Sequence, residues 1–239
     1  MILLATALFA ALTTTEALTC LLNKESSCGA PVYRRALEYV EKEAESGRPL
    51  QQFVIGVLTD DKEKSRRYLE NSRPQILALA EKKNNPLAWY LLSVEKNDMK
   101  LLRRAADGNN VQALNALGSI VLESAFKKEN LTAEELTRAQ DESYGYFRRA
   151  AAKRDPNGFV NLGACYLRGF GCAVDMELAF RCFESAAKLG HPEGMDNLSA
   201  CYQFGHGVAM NTERSLFWAM KARAVRGDAG AERWLRERK

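Results

Sequence analysis

Apolar positions along this chain recur at three- and four-residue steps, a period that predicts helices rather than strands. Gly158, Leu162, Cys165, Tyr166 and Gly169 make one such face. Ala179, Cys182, Phe183, Ala186 and Leu189 make a second, with Asp175 placed as its N-cap and Gly190 as its C-terminal stop. Gly169 and Gly171 fall between the two faces, where a tight turn with positive φ costs little only for glycine. Ala186 and Ala187 allow close helix approach, and Tyr166 and Phe183 fill the space between helices. Earlier, Val32, Leu37 and Val40 with their intervening charges predict an amphipathic helix. Phe53 to Leu58 predicts a short apolar one, and Ile76 to Ala80 another that begins after Pro74.

Laid against itself, the chain repeats at 36 residues, and a fixed period of this size means a stacked array. Gly158 to Gly171 lies over Gly194 to Gly207, with Asn161, Leu162, Cys165, Tyr166 and both turn glycines recurring. Farther on, Asp175 meets Asn211, Cys182 meets Trp218 and Ala186 meets Ala222. Two markers, Leu117-Gly118 and Ala105-Ala106, precede their counterparts by 45 residues, so nine residues are inserted between Gly118 and Ala150. The polar stretch Lys127 to Glu135 predicts a long loop there, followed by a longer second helix. Residues 86–108 read as a shortened pair, residues 18–85 as a helical cap, and the segment from Gly227 as a closing helix. Terminal units of a stack have one neighbour instead of two, which explains their atypical sequence.

The N-terminus departs from this pattern. Ile2 to Leu12 is apolar apart from Thr6, and no charge appears before Glu16. As a helix this run rises only about 16 Å, too short for a hydrocarbon core of about 30 Å. It is expected to be a signal peptide over residues 1–17, cleaved before Leu18, although the usual positive start is missing. The alternatives are an apolar helix packed on the array and, more weakly, a lipid-anchored Cys20. Export would place Cys20, Cys28, Cys165, Cys172, Cys182 and Cys201 in an oxidising compartment. Six cysteines allow 15 connectivities. Cys20 with Cys28 is the local pairing, and Cys165 with Cys182 is another, since they stand at similar heights on antiparallel helices.

The motif Leu162-Gly163-x-x-Tyr166-x-x-Gly169-x-Gly171, followed by Ala179-x-x-Cys182-Phe183-x-x-Ala186-Ala187-x-x-Gly190, resembles the Sel-one-like repeat family. The resemblance is good over residues 109–239, degenerate over 86–108 and slight over 23–85. It implies an all-α, right-handed solenoid of paired helices related to tetratricopeptide arrays, acting as a scaffold or adaptor, at bacterial envelopes among other places. Cys172, Cys182 and Ser199 depart from the family pattern, and the disulfide pairing of its cysteine-rich branch does not transfer to this chain. In such superhelices the first helix of each repeat lines a concave face. The resemblance therefore points to Asn161, Arg168, Asn197, Gln203 and Ser119 as partner-binding positions for a protein or peptide. Asparagines at successive repeats suit an extended backbone, because an amide side chain both donates and accepts.

Other chemistries fare less well. There are 34 Lys and Arg against 30 Asp and Glu, so a net charge of +4 does not demand a nucleic-acid partner. With only His191 and His206 and no Cys-x-x-Cys, neither a metal site nor any other cofactor is expected. Gly169-x-Gly171 follows a helix, not a strand, and reads as a turn rather than a phosphate loop. Three Ser-x-x-Lys matches, at Ser93, Ser124 and Ser185, lack the companion motifs of penicillin-recognising enzymes. A non-catalytic scaffold, secreted or periplasmic, is the expectation. An envelope hydrolase or β-lactam-binding protein is the alternative function, and a cytoplasmic adaptor with free thiols the alternative location. Asn130-Leu-Thr132 matches a glycosylation sequon in the accessible insertion.

Overall fold

The computed structural model describes residues 30–238 together with 17, 18, 21 and 22. Among these every regular element is an α-helix: α1 (Ala30–Glu45), α2 (Pro49–Leu58), α3 (Lys62–Lys83), α4 (Pro86–Lys96), α5 (Met99–Asp107), α6 (Val111–Lys127), α7 (Ala133–Ala152), α8 (Pro156–Arg168), α9 (Met176–Lys188), α10 (Pro192–Phe204), α11 (Thr212–Val225) and α12 (Ala229–Arg236). Each helix packs on the next, and α6, α8 and α10, the first helices of successive repeats, also touch in sequence. This is an all-α repeat solenoid.

The corner between repeats is built the same way each time. A second helix ends in a left-handed residue, Asn109 (φ 61°), Arg154 (60°), Gly190 (86°) or Gly227 (93°). The next residue is an N-cap: Asn110, Asp155, His191 or Asp228, whose side chain accepts the N–H three positions on, from Ala113, Gly158, Gly194 or Ala231. That third position must be small, because it lies on the preceding helix. A Cβ at Gly158 would stand 2.6 Å from Ala151 N and 2.7 Å from Ala150 C, and one at Gly194 would stand 2.5 Å from Ala186 Cβ.

Within a repeat the contact is glycine against aromatic ring. A Cβ at Gly118 would meet Phe147 at 2.4 Å, and one at Gly163 would meet Phe183 at 2.6 Å. The next repeat changes both partners at once: Ser199 replaces the glycine, and Ala219 stands where Phe183 stood. The Ser199 hydroxyl donates to Ser215 O at 2.8 Å and lies 3.0 Å from Ser215 Oγ. The departure of Ser199 from the family pattern is thus a compensated exchange in which a buried polar group is fully partnered. The turns between the first and second helix of a repeat hold Gly169, Gly171, Gly205 and Gly207 at φ 66–76°. Gly207 lies so close to Met176 O that no side chain fits.

Two local expectations are corrected. The inserted residues form a loop of only 128–132; the rest lengthens α6 to 17 residues and α7 to 20. Thr132 and Glu135 close a reciprocal capping box that starts α7 inside the polar stretch. Pro74 does not begin a helix but sits inside α3, which runs unbroken from Lys62 to Lys83. Burial of Tyr68, Ser72, Ile76 and Ala80 along one stripe holds this helix through the lost backbone bond. Its α2 contact is close: a Cβ at Gly56 would lie 2.9 Å from Leu69 Cγ.

Residues 1–16 lie outside the described residues, as do Cys20 and Cys28. Ala17, Leu18 and Leu21 are helical or buried members of the same core as Ala36, Val40 and Phe53. The expected cleavage point between Ala17 and Leu18 therefore falls between two buried side chains. Among the described residues no helix is long and apolar enough to cross a membrane.

Two glycine substitutions test the packing scheme by urea unfolding. Gly158→Ala should cost about 1–3 kcal/mol, the range for overpacking against an unyielding neighbour. Gly145→Ala, whose Cβ meets nothing within 4 Å inside α7, should gain up to about 1 kcal/mol from helix propensity. Equal effects at the two sites would refute the close-approach account.

Candidate functional site

The residues expected to face a partner lie on consecutive first helices: Ser119 on α6, Asn161 and Arg168 on α8, Asn197 and Gln203 on α10. Ser119, Arg168 and Gln203 are exposed, whereas Asn161 and Asn197 are half-buried. Arg168 stands 5.9 Å from the Phe170 ring. Asn161 is already engaged within the chain: its Nδ2 donates to Asn115 Oδ1 at 3.3 Å. Asn115 in turn donates through Nδ2 to Asp155 Oδ2 at 2.7 Å.

That link reveals a polar seam between repeats that the sequence reading passed over. The N-cap side chains Asp155 and His191 each accept a hydrogen bond from the following turn and make a second one with the preceding first helix, which Asp155 accepts and His191 donates. Asp155 accepts from Gly158 N at 2.8 Å and from Asn115. His191 Nδ1 accepts from Gly194 N at 3.2 Å, so the ring proton sits on Nε2, which donates to Asn157 Oδ1 at 3.0 Å. His191 is an N-cap at the start of α10. Burial to 1% exposure makes it more: desolvation pulls its pKa down to about 4, helped by the nearby Arg226 charge. Burial also raises the Asp155 pKa, against the opposing hydrogen bonds. Position five beyond the cap, where Asn115 stands after Asn110, was the only available clue to the seam.

Beside Ser119 the surface opens into an apolar cavity of about 240 Å³ between α4 and α6, lined chiefly by Tyr90, Val94, Met99, Leu102, Ala116 and Ile120. Val94, Met99 and Ile120 are 44%, 40% and 36% exposed. Ser93, Asn97 and Asp98 complete its lining, so the mainly apolar wall suits an aliphatic or aromatic side chain that has a polar neighbour.

The cysteines form no bridge among the described residues: Cys165, Cys172, Cys182 and Cys201 are free thiols. The Cys165–Cys182 pairing is thus not formed in this structure. Cys165, with Cys172 and Cys182 packed against it, belongs to a small core with Phe147 and Leu162. Desolvation pushes the Cys165 thiol up to about 12 and those of Cys182 and Cys201 to about 11, so all three stay protonated and serve as small apolar groups. Above this core Tyr144 and Tyr166 share a hydroxyl contact of 3.3 Å. Among the described residues no group of His, Cys, Asp and Glu is arranged to hold a metal ion. Ser93 and Ser185 spend their hydroxyls on the Tyr90 and Arg181 carbonyls, at 2.6 and 2.8 Å. Asn130 is exposed, in left-handed conformation, in the loop before α7.

Comparison with known proteins follows this geometry. Residues 134–155, 160–191 and 192–223 each match the Sel1 repeat. A Sel1 repeat protein from Oxalobacter formigenes has 23% identity with this chain, covering 53% of it and 90% of that structure, with a TM-score of 0.46. A protective antigen present in uropathogenic Escherichia coli strains, displaying an SLR fold, has 19% identity, covering 83% of this chain and 52% of the antigen, with a TM-score of 0.38. This chain thus spans about half the length of that antigen. No curated protein matches it.

The His191 seam predicts an acid-sensitive stability. Because burial depresses the folded pKa to about 4 from the ordinary histidine value of 6.5, the unfolded chain binds the extra proton first. The stabilisation is complete above pH 6.5 and drains as pH falls toward 4. Wild type should lose roughly 2–3 kcal/mol relative to His191→Asn over that window, a shift of two to three pKa units being worth that much. Asparagine keeps the cap but does not titrate. Parallel pH profiles for the two proteins in urea unfolding would refute the assignment.

Proposed function

We propose, on the premise that residues 134–155, 160–191 and 192–223 match the Sel1 repeat, that this chain is a non-catalytic interaction scaffold that binds an extended protein segment along its first helices. The observation that carries this reading is the open apolar cavity between α4 and α6, beside the run of exposed polar positions at Ser119, Arg168 and Gln203. The cavity takes an apolar side chain of the segment, while Asn197, Gln203 and Ser119 supply backbone hydrogen bonds on either side of the spent Asn161. Asn161 contributes by holding Asn115 and thereby the α6–α8 spacing. The engaged hydroxyls of Ser93 and Ser185, together with thiols held in their neutral form, favour this reading over a hydrolase.

Selection of peptides from a random displayed library against the purified chain tests it. Selected peptides should share a spaced apolar residue. Ile120→Arg should weaken them at least tenfold, or about 1.4 kcal/mol, and Asn197→Ala should weaken them less. Failure to select any consensus, or a consensus indifferent to Ile120→Arg with the fold intact by circular dichroism, would overturn the reading.

For location, burial of Ala17 and Leu18 in the core supports a mature chain that keeps Ala17. Intact mass of protein from its native source, before and after alkylation, should then show a chain that keeps Ala17 and alkylates without prior reduction. A mass beginning at Leu18, with thiols released only by reduction, would restore export.

A further inference from the structure

The second helices α9 and α11 occupy equivalent places one repeat apart, yet their outward faces differ in kind. On α9 the face is held by two solvent-exposed ion pairs, Arg181–Glu177 at 2.5 Å and Lys188–Glu184 at 2.9 Å. Thirty-six residues on, Arg181 becomes Phe217, Glu184 becomes Met220 and Lys188 becomes Ala224; only Glu213 keeps the charge of Glu177. Phe217 is 41% exposed, as is its neighbour Leu216. The core is served by the other side of α11, where Ser215 and Ala222 are buried, so packing within the chain does not require these apolar side chains outside.

Cations fringe this face. Lys221 Nζ stands 5.6 Å from the Phe217 ring and 4.7 Å from the Trp218 ring, and the two rings meet edge to face at 5.5 Å. Just beyond α12, Arg238 lies 4.0 Å from the ring of the α12 residue Trp234. Residues 212–239 hold eight Lys and Arg against four Asp and Glu, a surplus equal to that of the entire chain. Arg223, Arg226 and Arg236 are paired with Asp228, Asp196 and Glu232. Among the described residues Lys221, Arg233 and Arg238 form no ion pair.

From this charge complementarity we infer that the outward face of α11, with Arg233 of α12 and Arg238 just beyond it, docks on an anionic lipid surface. The exposed Phe217 and Leu216, with the half-buried Met220 beside them, enter the interfacial layer, while the cations meet the headgroups and the half-buried indole of Trp218 sits at the boundary. A second copy of this chain is the poorer occupant, because it would bring the same unpaired cations toward each other. The inference stands apart from the peptide reading, which concerns the first helices.

Co-sedimentation of the full chain with phosphatidylcholine vesicles, with and without phosphatidylserine, tests it. At low salt the chain should sediment with the anionic vesicles and not with the neutral ones, and salt should release it. Lys221→Gln should weaken partitioning about fivefold, equivalent to ~1 kcal/mol for one cation near such a surface. Phe217→Ala should weaken it about tenfold, and Arg181→Ala on α9 should leave it unchanged. Equal sedimentation with both vesicles, none with either, or indifference to Phe217→Ala would overturn the inference. Capture of polyglutamate but not of anionic vesicles, with the same dependence on Phe217 and Lys221, would also overturn it and assign the face to an acidic protein.

Discussion

The backbone of each first helix reaches the preceding second helix at a position where a single added Cβ would overlap main-chain or alanine atoms, and the stacking of one repeat on another depends on that contact. Gly158 against Ala150 and Ala151, and Gly194 against Ala186, set the distance between repeats. The same residues donate their N–H groups to Asp155 and His191. One small residue thus serves spacing and capping together, so the corner tolerates little variation. Close approach also shuts out water, and the cap side chains at these corners must find protein partners instead. Asn115 and Asn157 are those partners.

Inside a repeat the constraint is looser, because two side chains share it. Glycine under phenylalanine in two repeats becomes serine over alanine in the third, with the hydroxyl taken up by Ser215. What is preserved is summed volume and hydrogen-bond satisfaction, not identity. The cysteines obey the same rule. Their family-divergent positions look like a redox framework when read as a list, yet Cys165 and Cys182 occupy a space shared with Phe147, Leu162 and Tyr166. Burial keeps their sulfur neutral.

Freed from the core, outward faces can diverge. On α9 the outward positions hold paired charges, as on many solvated helices; on α11 they hold Phe217 and Met220 under a cation. The apolar cavity between α4 and α6 arises differently, from the short α5 and its two-residue connection to α4, which leave Val94, Met99 and Ile120 partly uncovered.

By itself the sequence determined the repeat period, the helix pairs, the N-cap at Asp175, the turn glycines and the stop at Gly190, because each is written in local spacing or in a residue's own conformational limits. It also located the insertion, though not its full form: the capping box of Thr132 and Glu135 starts α7 at Ala133, inside the stretch expected as loop. Continuity of α3 through Pro74 was decided by tertiary burial of Tyr68, Ile76 and Ala80, which outweighs a local breaker. So was the seam joining Asn115, Asp155, Asn161, Asn157 and His191, whose members lie 34 to 46 residues apart and meet only when first helices stack. The pKa of His191, the neutrality of the thiols and the engagement of Asn161 follow from desolvation and from partners brought by the fold, quantities that no single stretch of sequence contains.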